Sequence, residues 1–557
     1  MNTLPPADQV ARVQRLRERL SCGGQAEVAC IETHISWVLV TPTEAFKLKK
    51  AVDLGFIDQR EAHTRRRACE DEVRLNRRTA PELYLGVRAI DADGAWVDVD
   101  APQAVDHAVH MRRFDPRRTL DVLLAQPGLP QVQAQAWVDE LVDQVARLHT
   151  TAAVVREPDV GLLADLRRVT GERPEQWLAL CRDDAERQQV GDALHWLADQ
   201  EARWAPLSRS RRDAGFVREL HGDLHLGNVC LFDGRVTVFD AIEFSRGLRT
   251  IDTLNDLAFL LMDLHVQGHH RLAWRALSRY LDATGDHAGV PLLDGFMVWR
   301  ALVRFKVARL RGADAAPHDE EDPTQDPARR CLRGIAWLMQ PRTPVLVGMH
   351  GVSGCGKSAV SERLLTVMGA IRLRSDVERR RLPDWTGEGR YTSAAREATL
   401  ELMLHRAEAL LRAGHRVILD ATFLEPAARQ ALRTLAQRVG CRWAWVQCEA
   451  PLEVMLARLA VRQGDASEAD AHVLMQQLQR QRAGDARLGD LDAPHAMHCA
   501  TTLPLSHWDL EASWVPLWRL LDLGARPGVG AVVGAVVGAV VGSAVGPAVA
   551  PERLDER

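Results

Sequence analysis

Two stretches of this chain carry residues whose types and spacing suit phosphoryl transfer. In His221-Gly222-Asp223-Leu224-His225-Leu226-Gly227-Asn228 an aspartate stands five residues ahead of an asparagine, and a second aspartate, Asp240, follows a short apolar-turn-apolar unit. One aspartate can take or orient the proton of an attacking hydroxyl. An amide oxygen and a second carboxylate can hold Mg²⁺ against a triphosphate. The intervening unit, Val229 to Phe232, Asp233-Gly234 and Arg235 to Phe239, reads as a hairpin that returns Asp240 to the side of Asn228. His221 and His225 read as supports of loop geometry.

The second stretch is Gly351-Val352-Ser353-Gly354-Cys355-Gly356-Lys357-Ser358, which fits G-x-x-x-x-G-K-[ST]. Gly351, Gly354 and Gly356 let backbone N–H groups curl around phosphate oxygens, and a helix N-terminus adds partial positive charge. Lys357 would reach the outer phosphates and the Ser358 hydroxyl would ligate Mg²⁺. Further on, Val417-Ile418-Leu419-Asp420 is an apolar strand ending in a carboxylate that can hold Mg²⁺ through water. Asp376, after the strand that follows the glycine-rich loop, can accept a proton from an attacking hydroxyl or can cap the helix beginning at Val377. Arg458 and Arg462, four apart on one helical face, can close over a transferring phosphate or simply face solvent.

Composition sharpens this reading. Of 71 basic residues only five are lysine, namely Lys47, Lys49, Lys50, Lys306 and Lys357. In a chain so biased toward arginine, a retained lysine marks a place where a planar guanidinium cannot replace a compact ammonium. The net charge of −4 offers no basic excess, which argues against a nucleic-acid partner. The ten cysteines include no C-x-x-C pair, as expected for free thiols in a reducing compartment. The first 19 residues are polar and charged, so no secretory signal is expected, and the cytoplasm is the expected location.

These residues need positioning elements. β-type runs are expected at Ile31 to Val40, Ala45 to Lys49, Ala95 to Val99 and His107 to Met111, with a charged helix at Gln59 to Arg78. Helices dominate from Ala134 to Leu310, apart from the hairpin. Beyond an acidic segment, Gly312 to Asp326, strands alternate with helices, which predicts a parallel α/β sheet. Residues 524–557 are low-complexity Gly, Ala and Val. They read as a disordered tail, with a membrane or self-association segment as the alternative because Gly528 to Ala550 carries no charge.

The first stretch resembles the aminoglycoside phosphotransferase-like family, whose hallmark is close to H-G-D-L-H-x-G-N, a hairpin and Asp. The resemblance implies a two-lobed protein-kinase-like fold with Asp223 as catalytic base and Asn228 and Asp240 as Mg²⁺ ligands. It makes Lys47, or Lys49 two residues on, the lysine that pairs the nucleotide phosphates. Glu72, or Glu70, becomes its orienting carboxylate, and Asp256 a helix-anchoring aspartate. Thr33-His34-Ile35-Ser36 stands where protein kinases carry a glycine-rich loop. The second stretch is similar to P-loop small-molecule kinases and zeta-toxin-like ATPases through G351VSGCGKS358, S375DVERRR381, V417ILDAT422 and the Arg458/Arg462 helix. Together they resemble a bacterial group of phosphotransferase/ATP-binding fusions.

The expected fold class is therefore α+β followed by α/β. Residues 1–311 form a kinase-like domain, 312–342 a linker, 343–523 a parallel-sheet P-loop domain and 524–557 the tail. ATP and Mg²⁺ are the expected cofactors, and small hydroxyl- or amine-bearing molecules the expected acceptors. An ATP-binding switch without turnover and a polynucleotide 5′-kinase are the alternatives.

Overall fold

The computed structural model describes residues 5–21, 27–53, 57–157, 173–314, 326–382, 392–461, 470–482, 488 and 492–523. They divide into two compact units: residues 1–344 with 370–417, and residues 345–369 with 418–557.

The first unit opens with helix α1 (Ala7–Leu20), followed by strands β1 (Ala29–Glu32), β2 (Ser36–Val40) and β3 (Glu44–Lys49). Helix α2 (Ala62–Asn76) and strands β4 (Tyr84–Ile90), β5 (Trp96–Val97) and β6 (Asp106–Arg112) complete this lobe. The sheet is antiparallel, in the order β1-β2-β3-β6-β4-β5. Side chains alternate across a strand. On β3, Phe46 and Leu48 enter a core with Val13 and Leu16 of α1, whereas Lys47 and Lys49 turn to the face on which Glu72 of α2 lies.

Helix α1 had no counterpart among the expected elements. Its sequence is mostly charged, and only a narrow apolar stripe reaches the core. Polar contacts hold it as well. Gln9 Nε2 donates to the Lys49 carbonyl (3.0 Å) and to Asp106 Oδ2 (2.8 Å), and Gln9 Oε1 accepts from Ala51 N–H. Asp106 also receives Arg12 Nη1 (3.2 Å) and Arg65 Nε of α2 (2.9 Å). One buried carboxylate therefore ties α1 and α2 to the sheet.

The remainder of the first unit is mainly helical: α3 (Gln131–Thr151), α4 (Asp184–Asp213), α5 (Thr253–Val266), α6 (His270–Thr284), α7 (Leu293–Asp314) and α8 (Pro327–Leu338). Between α4 and α5 lie β7 (Val217–Glu219), the hairpin β8 (Val229–Phe232) and β9 (Arg235–Val238), and β10 (Thr250–Asp252), which pairs β7. The expected linker 312–342 is not extended where it is described. α7 runs to Asp314, and α8 buries Cys331, Leu332, Ile335 and Leu338. Their spacing makes one apolar helical face, which needs a partner to pack on. The unit also takes in β12 (Ile371–Arg374), α10 (Ser375–Arg379) and α11 (Ser393–Arg412).

In the second unit are β11 (Val345–His350), α9 (Lys357–Met368), β13 (Val417–Asp420, from Ile418 on), α12 (Pro426–Val439), β14 (Arg442–Glu449), α13 (Leu452–Ala460), α14 (Ala471–Arg482) and β15 (Ala496–Ala500). The strands of this unit have the order β13-β11-β14-β15, and β14 pairs both β11 and β15 in parallel. Parallel strands covered on both faces read as continuous apolar runs, and every residue of β11 is buried. Among the described residues no helix is long and apolar enough to cross a membrane. The expected tail lies outside the described residues.

Asp106→Ala would leave Arg65 buried without its carboxylate. The expected loss is about 3–5 kcal/mol, read as a drop in the denaturant midpoint of the full chain.

Candidate active sites

The first site is built by a turn and an anchor. Asp233 and Gly234 both adopt positive φ (48° and 81°), the backbone that a two-residue hairpin turn requires. The resulting ladder pairs Val229 with Val238, and Phe239 N–H donates to the Asn228 carbonyl (3.0 Å), so Asn228 and Asp240 leave the same end of the hairpin. Asp256, fully buried on α5, is the anchor. Its carboxylate accepts the N–H groups of His221 (3.1 Å) and Gly222 (2.9 Å) and pairs His149 Nε2 (3.1 Å).

On that loop Asn228 Nδ2 donates to the carbonyl (3.0 Å) and to Oδ2 (3.1 Å) of Asp223. The donor end of the amide is thereby engaged, and its oxygen is the end that can meet a cation. His221 accepts from Asp223 N–H and bonds the Phe239 carbonyl through Nε2, while His225 accepts from Gly227 N–H. Both histidines shape the loop. Burial works to raise the Asp223 pKa, but the nearby His225, His221 and Arg304 outweigh it and leave the carboxyl below its ordinary value. Asp223 therefore stands ionised at neutral pH, as a proton acceptor must.

β3 and α2 bring charge to the other side. Lys47 Nζ lies 2.9 Å from Glu72 Oε1 and 2.6 Å from Asp240 Oδ1. Lys49 is fully buried and bonds both Glu72 Oε2 and Glu243 Oε1. Lys47 keeps 14% of its side-chain surface exposed and Asp240 keeps 40%, so this pair faces the opening while Lys49 lies beneath it. Glu70, the alternative to Glu72, instead pairs Arg66 at the surface.

Burial would lower the Lys47 pKa. Asp240, Glu72 and Glu243 outweigh it and raise that pKa well above its ordinary value. Burial likewise works to raise Asp240, and Lys47 with Lys49 holds it down. For Glu243 burial prevails and the carboxyl is pushed up. Asp240 adopts φ 62°, a left-handed conformation that costs a non-glycine residue of order 1–3 kcal/mol and is typical of functional sites. Its backbone N–H donates to the Tyr84 hydroxyl (3.2 Å).

The second site is the loop between β11 and α9. Gly351, Gly354 and Gly356 have φ of 141°, 79° and 95°, all in the region that favours glycine. Gly356 caps α9, so the helix begins at Lys357. Lys357 Nζ folds back onto the Val352 carbonyl (2.8 Å), and Ser353 N–H donates to Gln477 Oε1 of α14 (2.7 Å). Arg458 bonds the Thr501 carbonyl (2.6 Å), Thr501 Oγ1 (2.9 Å) and the Gly354 carbonyl (3.5 Å). Thr501 Oγ1 in turn donates to the Cys355 carbonyl (2.6 Å). Arg458 thus neither faces open solvent nor stands free as a lid; it braces the loop from outside. Arg462 lies outside the described residues. Ser358 opens the second position of α9, and Asp420, at the end of β13, accepts from Ser361 Oγ (2.8 Å).

Asp376 belongs to the first unit. It lies in the first turn of α10 and pairs Arg379 (3.0 Å), while Arg374 holds the cap position, so the capping alternative does not hold.

Oxygen donors suit a hard cation such as Mg²⁺. At the first site the free end of the Asn228 amide and the half-exposed Asp240 carboxylate fit it. At the second, the Ser358 hydroxyl and the Asp420 carboxylate are of the same kind. Glu243, Tyr84, Gln477 and Thr501 were not among the expected site residues. Only Glu243 left a trace, as a charge inside the run Phe239-Asp240-Ala241-Ile242-Glu243-Phe244.

An AAA domain family matches residues 346–483. Over 487 residues the chain is 31% identical to Uncharacterized protein Rv2004c of Mycobacterium tuberculosis and to Uncharacterized protein Mb2027c of Mycobacterium bovis, covering 84% of this chain and 92% of each relative. Among solved structures it is similar to a choline/ethanolamine kinase family protein from Mesorhizobium loti, with 13% identity and a TM-score of 0.35 over 59% of this chain and 96% of that one. A gluconokinase from Sinorhizobium meliloti aligns at 22% identity and a TM-score of 0.24 over 33% of this chain and 94% of its own.

Asp256 yields a pH prediction. Burial opposes ionisation, but the His149 hydrogen bond and charge, with His221 and Arg300, bring the carboxyl from 3.8 to about 2. A carboxylate held below its free value stabilises the fold above that value and loses its share as acid protonates it. Stability should therefore fall from about pH 4 toward pH 2, this residue accounting for about 2–3 kcal/mol. Acid titration of Asp256→Asn, followed by circular dichroism, should show that part of the slope removed.

Proposed function

We propose that this chain, which belongs to the family of the Mycobacterium tuberculosis and Mycobacterium bovis proteins Rv2004c and Mb2027c, is an ATP- and Mg²⁺-dependent phosphotransferase with two nucleotide sites. Its acceptors are small molecules bearing a hydroxyl or amine. The observation that supports this most is the meeting of Lys47, Glu72 and Asp240 beside the loop that carries Asp223 and Asn228. Those groups come from β3, α2, the catalytic-type loop and the hairpin end, and phosphoryl transfer needs each of the roles they can fill.

At the first site Lys47, oriented by Glu72, holds the nucleotide phosphates. Asn228 and Asp240 hold Mg²⁺, which neutralises charge on the phosphate oxygens. Asp223 takes or orients the acceptor's proton, and its ionised state suits that task. At the second site the N–H groups around Gly351, Gly354 and Gly356, together with Lys357, hold the phosphates. Ser358 and Asp420 hold the metal. Arg458 acts by fixing the loop. The reaction takes place within the cytoplasm, on free metabolites and without nucleic acid.

Transfer from [γ-³²P]ATP to a metabolite pool tests the proposal. Asp223→Asn should reduce one set of labelled products by about 10²–10⁴-fold, and Lys357→Ala should remove a different set. ATP consumption unchanged by both substitutions would contradict the enzymatic reading and leave a nucleotide-responsive switch.

A further inference from the structure

The glycine-rich loop makes two kinds of contact with the rest of its unit, and they have opposite consequences for a ligand. Arg458 and Thr501 bond the carbonyls of Gly354 and Cys355. A phosphate needs donors and makes no demand on carbonyls, so these contacts shape the loop without competing with a ligand. Gln477 does the reverse. Its Oε1 accepts the N–H of Ser353 at 2.7 Å, and a loop N–H is the kind of donor that a phosphate oxygen would use. Lys357 Nζ, the loop's cation, is likewise turned onto an internal acceptor, the Val352 carbonyl.

We infer that Gln477 is an internal competitor for phosphate. Its carboxamide oxygen occupies the Ser353 N–H, and the phosphate of a bound nucleotide must displace it. The inference rests on the reading of this loop as a nucleotide site and adds to it a residue that sets affinity from outside the motif. Leu474 of α14 is buried and Arg480 pairs Glu425, so the helix keeps other attachments when Gln477 lets go. Gln477 is a positioning residue and takes no part in chemistry.

The sign of the effect is the test. Isothermal titration of the full chain with MgADP, and separately with a non-hydrolysable ATP analogue, gives a component that Lys357→Ala removes and that therefore belongs to this loop. For that component Gln477→Ala should tighten binding by about three- to tenfold, the worth of one net hydrogen bond. Gln477→Glu should weaken it, because a carboxylate both competes more strongly and repels phosphate. Alanine is a good helix former, so α14 should persist, and unchanged circular dichroism checks this. Binding that is unchanged or weaker in Gln477→Ala overturns the inference, since it would make the amide a bystander or a direct ligand donor. If Lys357→Ala removes no component, the nucleotide reading of the loop fails and the inference falls with it.

Discussion

The buried Lys49 ammonium is the constraint around which the first site is organised. A charge with no exposed surface is tolerable only when carboxylates surround it, and two do so, Glu72 from α2 and Glu243 from beyond the hairpin. Three segments far apart in sequence must therefore fold together before that charge is satisfied. Their meeting fixes Glu72 so that its second oxygen is presented to Lys47. Lys47 in turn reaches the half-exposed Asp240, where a ligand can arrive. The deep pair thus fixes the geometry of the shallow one.

The two sites solve the same electrostatic problem with different materials. The first holds its positive charge on side chains and must bury counter-charges to keep them in place. The second relies on backbone N–H groups and a helix start, so its requirement is conformational: three glycines with positive φ, and a helix opening at Lys357. Protein acceptors take part of its donor capacity. The first site is preorganised by ion pairs, whereas donors of the second rest on internal acceptors.

What could be read from the sequence followed the locality of the signal. The hairpin, its turn and the return of Asp240 to Asn228 were legible because an Asp-Gly pair between two apolar runs is a local instruction. The helix after the glycine-rich loop and the parallel strands were legible for the same reason, since the motif and the apolar runs state their own geometry. The choices between Lys47 and Lys49, and between Glu70 and Glu72, were not. Both lysines share a strand face and both lie in the charge cluster, and only the docking angle of α2 separates a buried glutamate from one paired at the surface. Helix α1 escaped because its docking rests on Gln9 and Arg12 as much as on apolar spacing. The second half of the expected linker became α8 because a single apolar helical face shows itself only when a partner is present. Gln477 and Thr501 act through one side chain each, at distances in sequence that no motif records.

If both sites act as proposed, each half of the chain takes up a magnesium–nucleotide complex. Equilibrium dialysis of the full chain against a labelled, non-hydrolysable ATP analogue, with and without Mg²⁺, tests it most directly. With Mg²⁺ present, saturation should approach two molecules of analogue per chain, and chelation of the metal should sharply weaken uptake. Saturation at one molecule per chain or none, at millimolar analogue with Mg²⁺ present, would overturn that reading.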